Sequence, residues 1–170
     1  AALNHHLERL GYTLTPAQLK KAYESFLILA DSKKQITDED LHMFMGKTLS
    51  TPKRLKVELL EVVCGYPLKP MATVKMSIDG VEHIAASNGN GPVDASCNAI
   101  NSIITKTKIV NKIPDIREFL IQALTRGSDD ASKVNIQLEH QNKVYYGFGS
   151  DTDIVVASVH AYVDALNKLI

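Results

Sequence analysis

One segment pattern occurs twice in this 170-residue chain, and the repetition limits the fold more than any other feature of the sequence. Val74, Met76 and Ile78 alternate with polar residues, Asp79-Gly80 turns the chain, and Val81 to Ala86 returns. A glycine-rich turn then leads into the helix-like run Val93-Asp94-Ala95-Ser96-Cys97-Asn98-Ala99-Ile100. Further on, Val134, Ile136 and Leu138 alternate in the same way, the chain turns near Gln141-Asn142, and it returns through Val144 to Phe148. Gly149 to Asp153 then passes into Ile154 to Tyr162. Ala95, Ser96 and Ala99 match Ala157, Ser158 and Ala161 at one fixed offset, which an internal duplication explains. Each hairpin follows another strand-like run, Leu55–Val63 and Ile116–Leu124, rich in β-branched residues. The predicted fold class is therefore α+β: duplicated βββα units over 55–106 and 114–170, each helix covering the apolar face of its own sheet.

Residues 1–50 follow another rule. Thr15-Pro16-Ala17-Gln18 is a capped helix start, and Leu19, Ala22, Tyr23, Phe26, Leu27 and Ala30 follow at helical spacing. Thr37-Asp38-Glu39-Asp40 opens another helix carrying Leu41, Phe44 and Met45, with acidic residues where the helix dipole favours them. Leu3 to Leu10 reads as a third, ended by Gly11. Three short helices form a small linker subdomain, and the polar stretch Gly46 to Arg54 joins it to a domain over 55–170. The chain opens abruptly in helix-like sequence, as a piece of something longer would.

The run Gly89-Asn90-Gly91-Pro92-Val93-Asp94-Ala95 carries the binding chemistry that the sequence offers. The first amides of a helix have no intrahelical partner, and with the dipole they favour a carboxylate or a phosphate. Pro92 suits the first helical position, where a missing N–H costs nothing. A Gly-Asn-Gly turn also serves simply to reverse the chain, and the sequence leaves both readings open.

Other chemistry is sparse. With 19 basic and 19 acidic residues and no basic cluster beside aromatics, nucleic acid is not an expected partner. No apolar run reaches the roughly 20 residues of a membrane span, so no membrane partner and a cytoplasmic location are expected. Cys64 and Cys97 read as buried free thiols of a reducing compartment. His83, His140 and His160 read as surface or boundary residues, and Asp129-Asp130 and Asp151/Asp153 as caps and turns before a cation site. No catalytic residue and no metal ligand is assigned.

Taken in order, Gly89–Ala95, Gly127-Ser128-Asp129-Asp130-Ala131, and Asp151–Ser158 through Asp164-Ala165-Leu166-Asn167 closely resemble the C-terminal regulatory region of the 2-isopropylmalate synthase family. Leu7–Tyr12, Leu29–Lys34 and Thr37–Leu41 resemble its small linker subdomains. The resemblance implies a homodimerising regulatory region that binds leucine as feedback inhibitor. It also implies a catalytic barrel, absent here, in which a divalent metal helps to condense acetyl-CoA with 2-oxoisovalerate. No synthase activity and no cofactor is expected of this chain alone. The implied effector site takes Gly91, Pro92, Val93 and Asp94 from the first turn and helix start, Ile116, Phe119 and Ala123 from the fourth strand, Ala131 from the next, and Ile154 from the last helix. Ile116, Phe119 and Ala123 differ in strand parity, so a bulge or bend is needed to bring them to one face. The family that this chain resembles usually has Tyr where Phe119 stands. An isoleucine-sensing citramalate synthase region and a ligand-free dimerisation scaffold are the rival readings.

Overall fold

The computed structural model describes residues 2–32, 35–38, 40–41, 44–45, 53–123 and 131–170, which divide into two compact units, 1–52 and 53–170. The stretch 46–52, where the sequence places the linker, and the turn 127–130 lie outside the described residues.

In the first unit, α1 spans Ala2–Arg9 and is ended by Gly11 at φ 96°, a left-handed conformation that suits glycine. The second helix, α2, spans Pro16–Ser32. Its start is a reciprocal cap: the Gln18 amide donates to Thr15 Oγ1 at 3.3 Å, and the Thr15 amide to Gln18 Oε1 at 3.0 Å. Thr37 and Asp40 repeat the device, at 2.9 and 3.3 Å, before the helical residues 40, 41, 44 and 45. Leu7, Ala22, Leu41 and Met45 close a small core. The apolar stripe on α2 is wider than that core can use. Tyr23 and Leu27, expected to be covered by their spacing, are 52% and 47% exposed, because so few elements meet there.

The second unit follows the duplicated pattern. Strands β1 (Leu55–Val63), β2 (Met71–Ile78) and β3 (Val81–Asn88) form one antiparallel sheet, and helix α3 (Pro92–Lys106) follows. Strands β4 (Asp115–Ala123), β5 (Ser132–His140) and β6 (Lys143–Asp151) form the other, followed by α4 (Ile154–Leu169). Both hairpins turn on two residues of positive φ, Asp79-Gly80 and Gln141-Asn142, whose twist matches that of the strands. Each sheet carries a register shift at the same place in its first strand, between Val57 and Leu59 and between Ile116 and Glu118. In each helix a buried serine donates to the carbonyl four residues back: Ser96 to Pro92 and Ser158 to Ile154, both at 2.7 Å.

One core serves both repeats. Val74 and Met76 from the first sheet, Val134, Ile136 and Leu138 from the second, Ile100 and Ile104 from α3, and Tyr162 and Leu166 from α4 are all essentially inaccessible. Tyr162 donates from its hydroxyl to Asn101 Oδ1, joining the two helices. Helix α4 lies closest to its sheet because β6 presents glycine to it. A Cβ at Gly147 would stand 1.9 Å from the Ala161 carbonyl oxygen, and one at Gly149 2.0 Å from that of Ala157.

The cysteines separate. Cys97 is buried in α3, whereas Cys64, expected inside a strand pattern, is exposed just beyond the end of β1, so the reading of two buried thiols is corrected. Burial, with Asp94 nearby, pushes the Cys97 thiol up to about 12. Burial also raises the Tyr162 phenol. Both groups keep protons in the fold that they would release unfolded, so their contribution to stability is complete below the ordinary thiol value of 9.0 and declines as pH rises.

Three outcomes follow from this packing. Gly149→Ala should lower unfolding stability by about 3 kcal/mol, the upper end for overpacking a filled core, measurable by urea titration. A thiol reagent should modify Cys64 in the native protein and reach Cys97 only after unfolding. Stability should fall as pH rises from 9.0 towards about 12, and Cys97→Ala should flatten that slope by up to about 1.4 kcal/mol per pH unit.

Candidate functional site

The chain leaves β3 at Asn88 and enters α3 through a turn whose three non-proline residues have different tasks. Gly89 is sterically fixed, since a Cβ there would lie 2.4 Å from the Ala95 nitrogen. Its amide donates to the Pro70 carbonyl at 3.1 Å. The Asn90 amide donates to Asp94 Oδ2 at 2.9 Å. Gly91 is the N-cap, extended at φ −157° and ψ 175°, and a Cβ on it would meet nothing within 4 Å. No side chain caps this helix end, and Pro92 removes one donor at its first position. The first amides of α3 therefore receive no side-chain cap, with the helix dipole behind them.

The corresponding end of α4 is closed. Asp153 is its N-cap, and its Oδ1 accepts from the Val155 amide at 2.8 Å and the Val156 amide at 3.4 Å. The Asp153 amide in turn donates to Asp151 Oδ1 at 2.9 Å. Two of the acidic residues weighed for a cation thus make a turn and a cap. A free anion at Ile154 would meet a carboxylate already in place, so of the starts of α3 and α4 only that of α3 lacks a side-chain cap. Ile154 remains available as an apolar surface, 38% exposed.

The third component is β4. Its register shift between Ile116 and Glu118 is the bulge that the parity of the candidate residues requires. Before it Ile116 stands opposite Leu138, and after it Phe119 stands opposite Ile136 and Ala123 opposite Ser132. Leu138 and Ile136 are buried, so Ile116 and Phe119 share the inner face of the sheet, and Ala123 keeps the register parity of Phe119. Phe119 and Val93 are both half-buried against the common core. Ala131, half-buried, directly precedes Ser132 and so adjoins the Ala123 pair. Ile116, Leu120 and Ile121 are 50%, 47% and 45% exposed on a strand that has only one neighbour.

Two hollows of about 480 and 440 Å3 lie elsewhere in this unit, one beside β3 and α3 and one between β1, β6 and α4, and no candidate residue lines either. Among the described residues no group of three or more His, Cys, Asp or Glu could hold a metal ion, and no helix is long and apolar enough to cross a membrane. His160 is exposed on α4, and His83 and His140 are half-buried on their strands.

The sequence reading missed the residues at the far end of α4. Asn167 bonds to Leu55, 112 residues away. The Phe148 amide donates to Asp164 Oδ2 at 2.9 Å, and Lys168 donates from Nζ to the Tyr146 carbonyl at 2.6 Å. Burial lowers the Lys168 ammonium, against the opposing pull of Asp164. These are polar positions on a helix face, and nothing local distinguishes them from solvated ones.

Known proteins resemble this chain over its whole length. The 2-isopropylmalate synthase of Parabacteroides distasonis is 44% identical over 170 residues, all of this chain but 33% of that protein. Two of that name from Prochlorococcus marinus are 40% identical over 172 residues, again with the whole chain covered and 31% of each relative. The chain thus spans about a third of the length of the curated relatives it matches. Residues 35–170 match the LeuA allosteric (dimerisation) domain, and the chain belongs to that family.

Proposed function

We propose that this chain is the regulatory part of a 2-isopropylmalate synthase and that it binds free leucine as a feedback inhibitor where two copies meet. The observation that carries this reading is the contrast between the two helix starts: α4 is capped by Asp153, whereas α3 begins bare at Gly91 with unfilled space in front of it. A free amino acid needs amides for its carboxylate, acceptors for its ammonium and a socket for its side chain. The amides of Val93 and Asp94 meet the first need. Backbone carbonyls and the Asp94 carboxylate meet the second. Ile116, Phe119 and Ile154 supply the third; Gly91, Pro92, Ala123 and Ala131 are small or rigid enough to let a ligand approach. Phe119 offers no hydroxyl, so the contact to the side chain here is purely apolar.

The half-exposed residues of β4 need a cover, and a second copy across a twofold axis provides one, giving a homodimer with matched sites. Leucine acts by preferring one arrangement of that pair, with a coupling of about 1–3 kcal/mol typical of such effects. The condensation of acetyl-CoA with 2-oxoisovalerate, with its divalent metal, belongs to the barrel of the parent enzyme and not to these residues.

Calorimetry on the folded, dimeric protein should show leucine binding, and Gly91→Asp should weaken it tenfold or more, about 1.4 kcal/mol, while the melting temperature stays within a degree or two. A Cβ there meets no atom within 4 Å, and the new carboxylate would take the ligand's place at the α3 amides as Asp153 does at those of α4. Absence of leucine binding, or equal binding by the variant, contradicts the proposal; stronger binding of isoleucine reassigns the effector. Sedimentation should show a dimer that Ile121→Asp converts to monomer, and a wild-type monomer would refute the interface.

A further inference from the structure

The first residues of the second unit are fastened at two points that the duplicated fold does not itself require. The Leu55 amide donates to Asn167 Oδ1 at 2.9 Å, and Asn167 Nδ2 donates back to the Leu55 carbonyl at 2.9 Å. The Asn167 side chain thereby acts on β1 as a neighbouring strand would, from the last turn of α4. One residue earlier, Arg54 Nε and Nη2 donate to the two carboxylate oxygens of Asp79 at 3.0 and 2.9 Å, and the Asp79 amide donates to the Arg54 carbonyl at 3.0 Å. The entering chain is held between the end of α4 and the β2–β3 turn, with Leu55 only 1% exposed.

The second repeat is the internal control. Aligned on their register shifts, Ile113 and Pro114 stand in the second repeat where Arg54 and Leu55 stand in the first. Aligned on their turns and helices, Gln141 stands where Asp79 does, and Thr105 where Asn167 does. Proline has no amide to offer, isoleucine has no charge, and threonine cannot supply the paired donor and acceptor of an amide. The same βββα unit therefore folds without either fastening.

We infer that Asn167 and Arg54 are positioning residues that tie the path of the chain entering at Lys53 to the position of α4, so that a change at one is felt at the other. This rests on the leucine reading above, since Ile154 at the opposite end of the same helix belongs to the proposed effector site. Helix α4 is braced along its length by Gly147 and Gly149, so a displacement at its start is carried to its last turn instead of being absorbed. Arg54 and Asp79 are exposed, and their worth is geometric, in the two-pronged fit, more than energetic.

Hydrogen exchange on the whole chain, with and without leucine, tests this, with leucine affinity measured by calorimetry on the same samples. In the wild type, leucine should change exchange at the amides of Leu55 and Lys56 and in the segment before Lys53. In Asn167→Ala combined with Arg54→Ala, leucine should bind within about twofold of wild type, yet its effect should stop short of Leu55. Asn167→Asp, which keeps the acceptor for the Leu55 amide but loses the donor, should be intermediate. Normal binding with an undiminished effect before Lys53 in the double variant overturns the inference alone. Failure of the wild type to bind leucine overturns both this inference and the reading on which it rests.

Discussion

The close seating of α4 on β6 is the contact from which the rest of the second unit takes its positions. Two glycines in one strand let the helix backbone come within van der Waals reach of the sheet, and any Cβ in either place would collide with a carbonyl oxygen. From that fixed helix, Tyr162 reaches α3, Leu166 and Ala165 enter the common core, and Asn167 reaches β1. Asp164 and Lys168 satisfy the edge of β6 on the same side. A sheet edge with unpaired groups invites association, and here the chain's own helix covers part of it.

Duplication supplies a scaffold, and the differences between the copies supply function. Serines in equivalent places bond to equivalent carbonyls, bulges fall at equivalent points, and both turns take positive φ. These shared features serve folding. The copies part at their helix starts, where one is capped by aspartate and the other left bare, and at their first strands, where Asn167 and Arg54 fasten the start of β1 and threonine and isoleucine stand at the equivalent places for β4. A helix end capped by glycine alone gives up stability, though only a few tenths of a kcal/mol on the usual scale. Retaining it beside a glycine with open space in front makes sense where a ligand completes the cap.

Much of this was legible in the sequence because its causes are local. Alternation gave the strands, β1 with the bounds Leu55–Val63, and Asp79-Gly80 marked its hairpin through turn chemistry alone. A bulge or bend in β4 was called for only by the residues that the family resemblance implies, and the register slips between Ile116 and Glu118. The helices ran further than the motifs that marked them, to Lys106 and Leu169, because the core on which they lie continues past those motifs. The Asp153 cap was legible too, since Asp151 and Asp153 before an apolar run are residues that make turns and helix caps. The exposure of Cys64, the uncovered Tyr23 and Leu27, and the bond from Asn167 to Leu55 had no local signature. They depend on where strands end and on which distant element arrives, and a single sequence does not encode that in its neighbours.

The central claim is that the start of α3, and not that of α4, receives the effector's carboxylate. Amide resonances report this directly during a leucine titration of the isotopically labelled chain. The account predicts the largest shifts at Val93 and Asp94, with Val155 and Val156, already bonded to Asp153, little changed. Shifts centred on α4, or none at the start of α3 while leucine is bound, would contradict it.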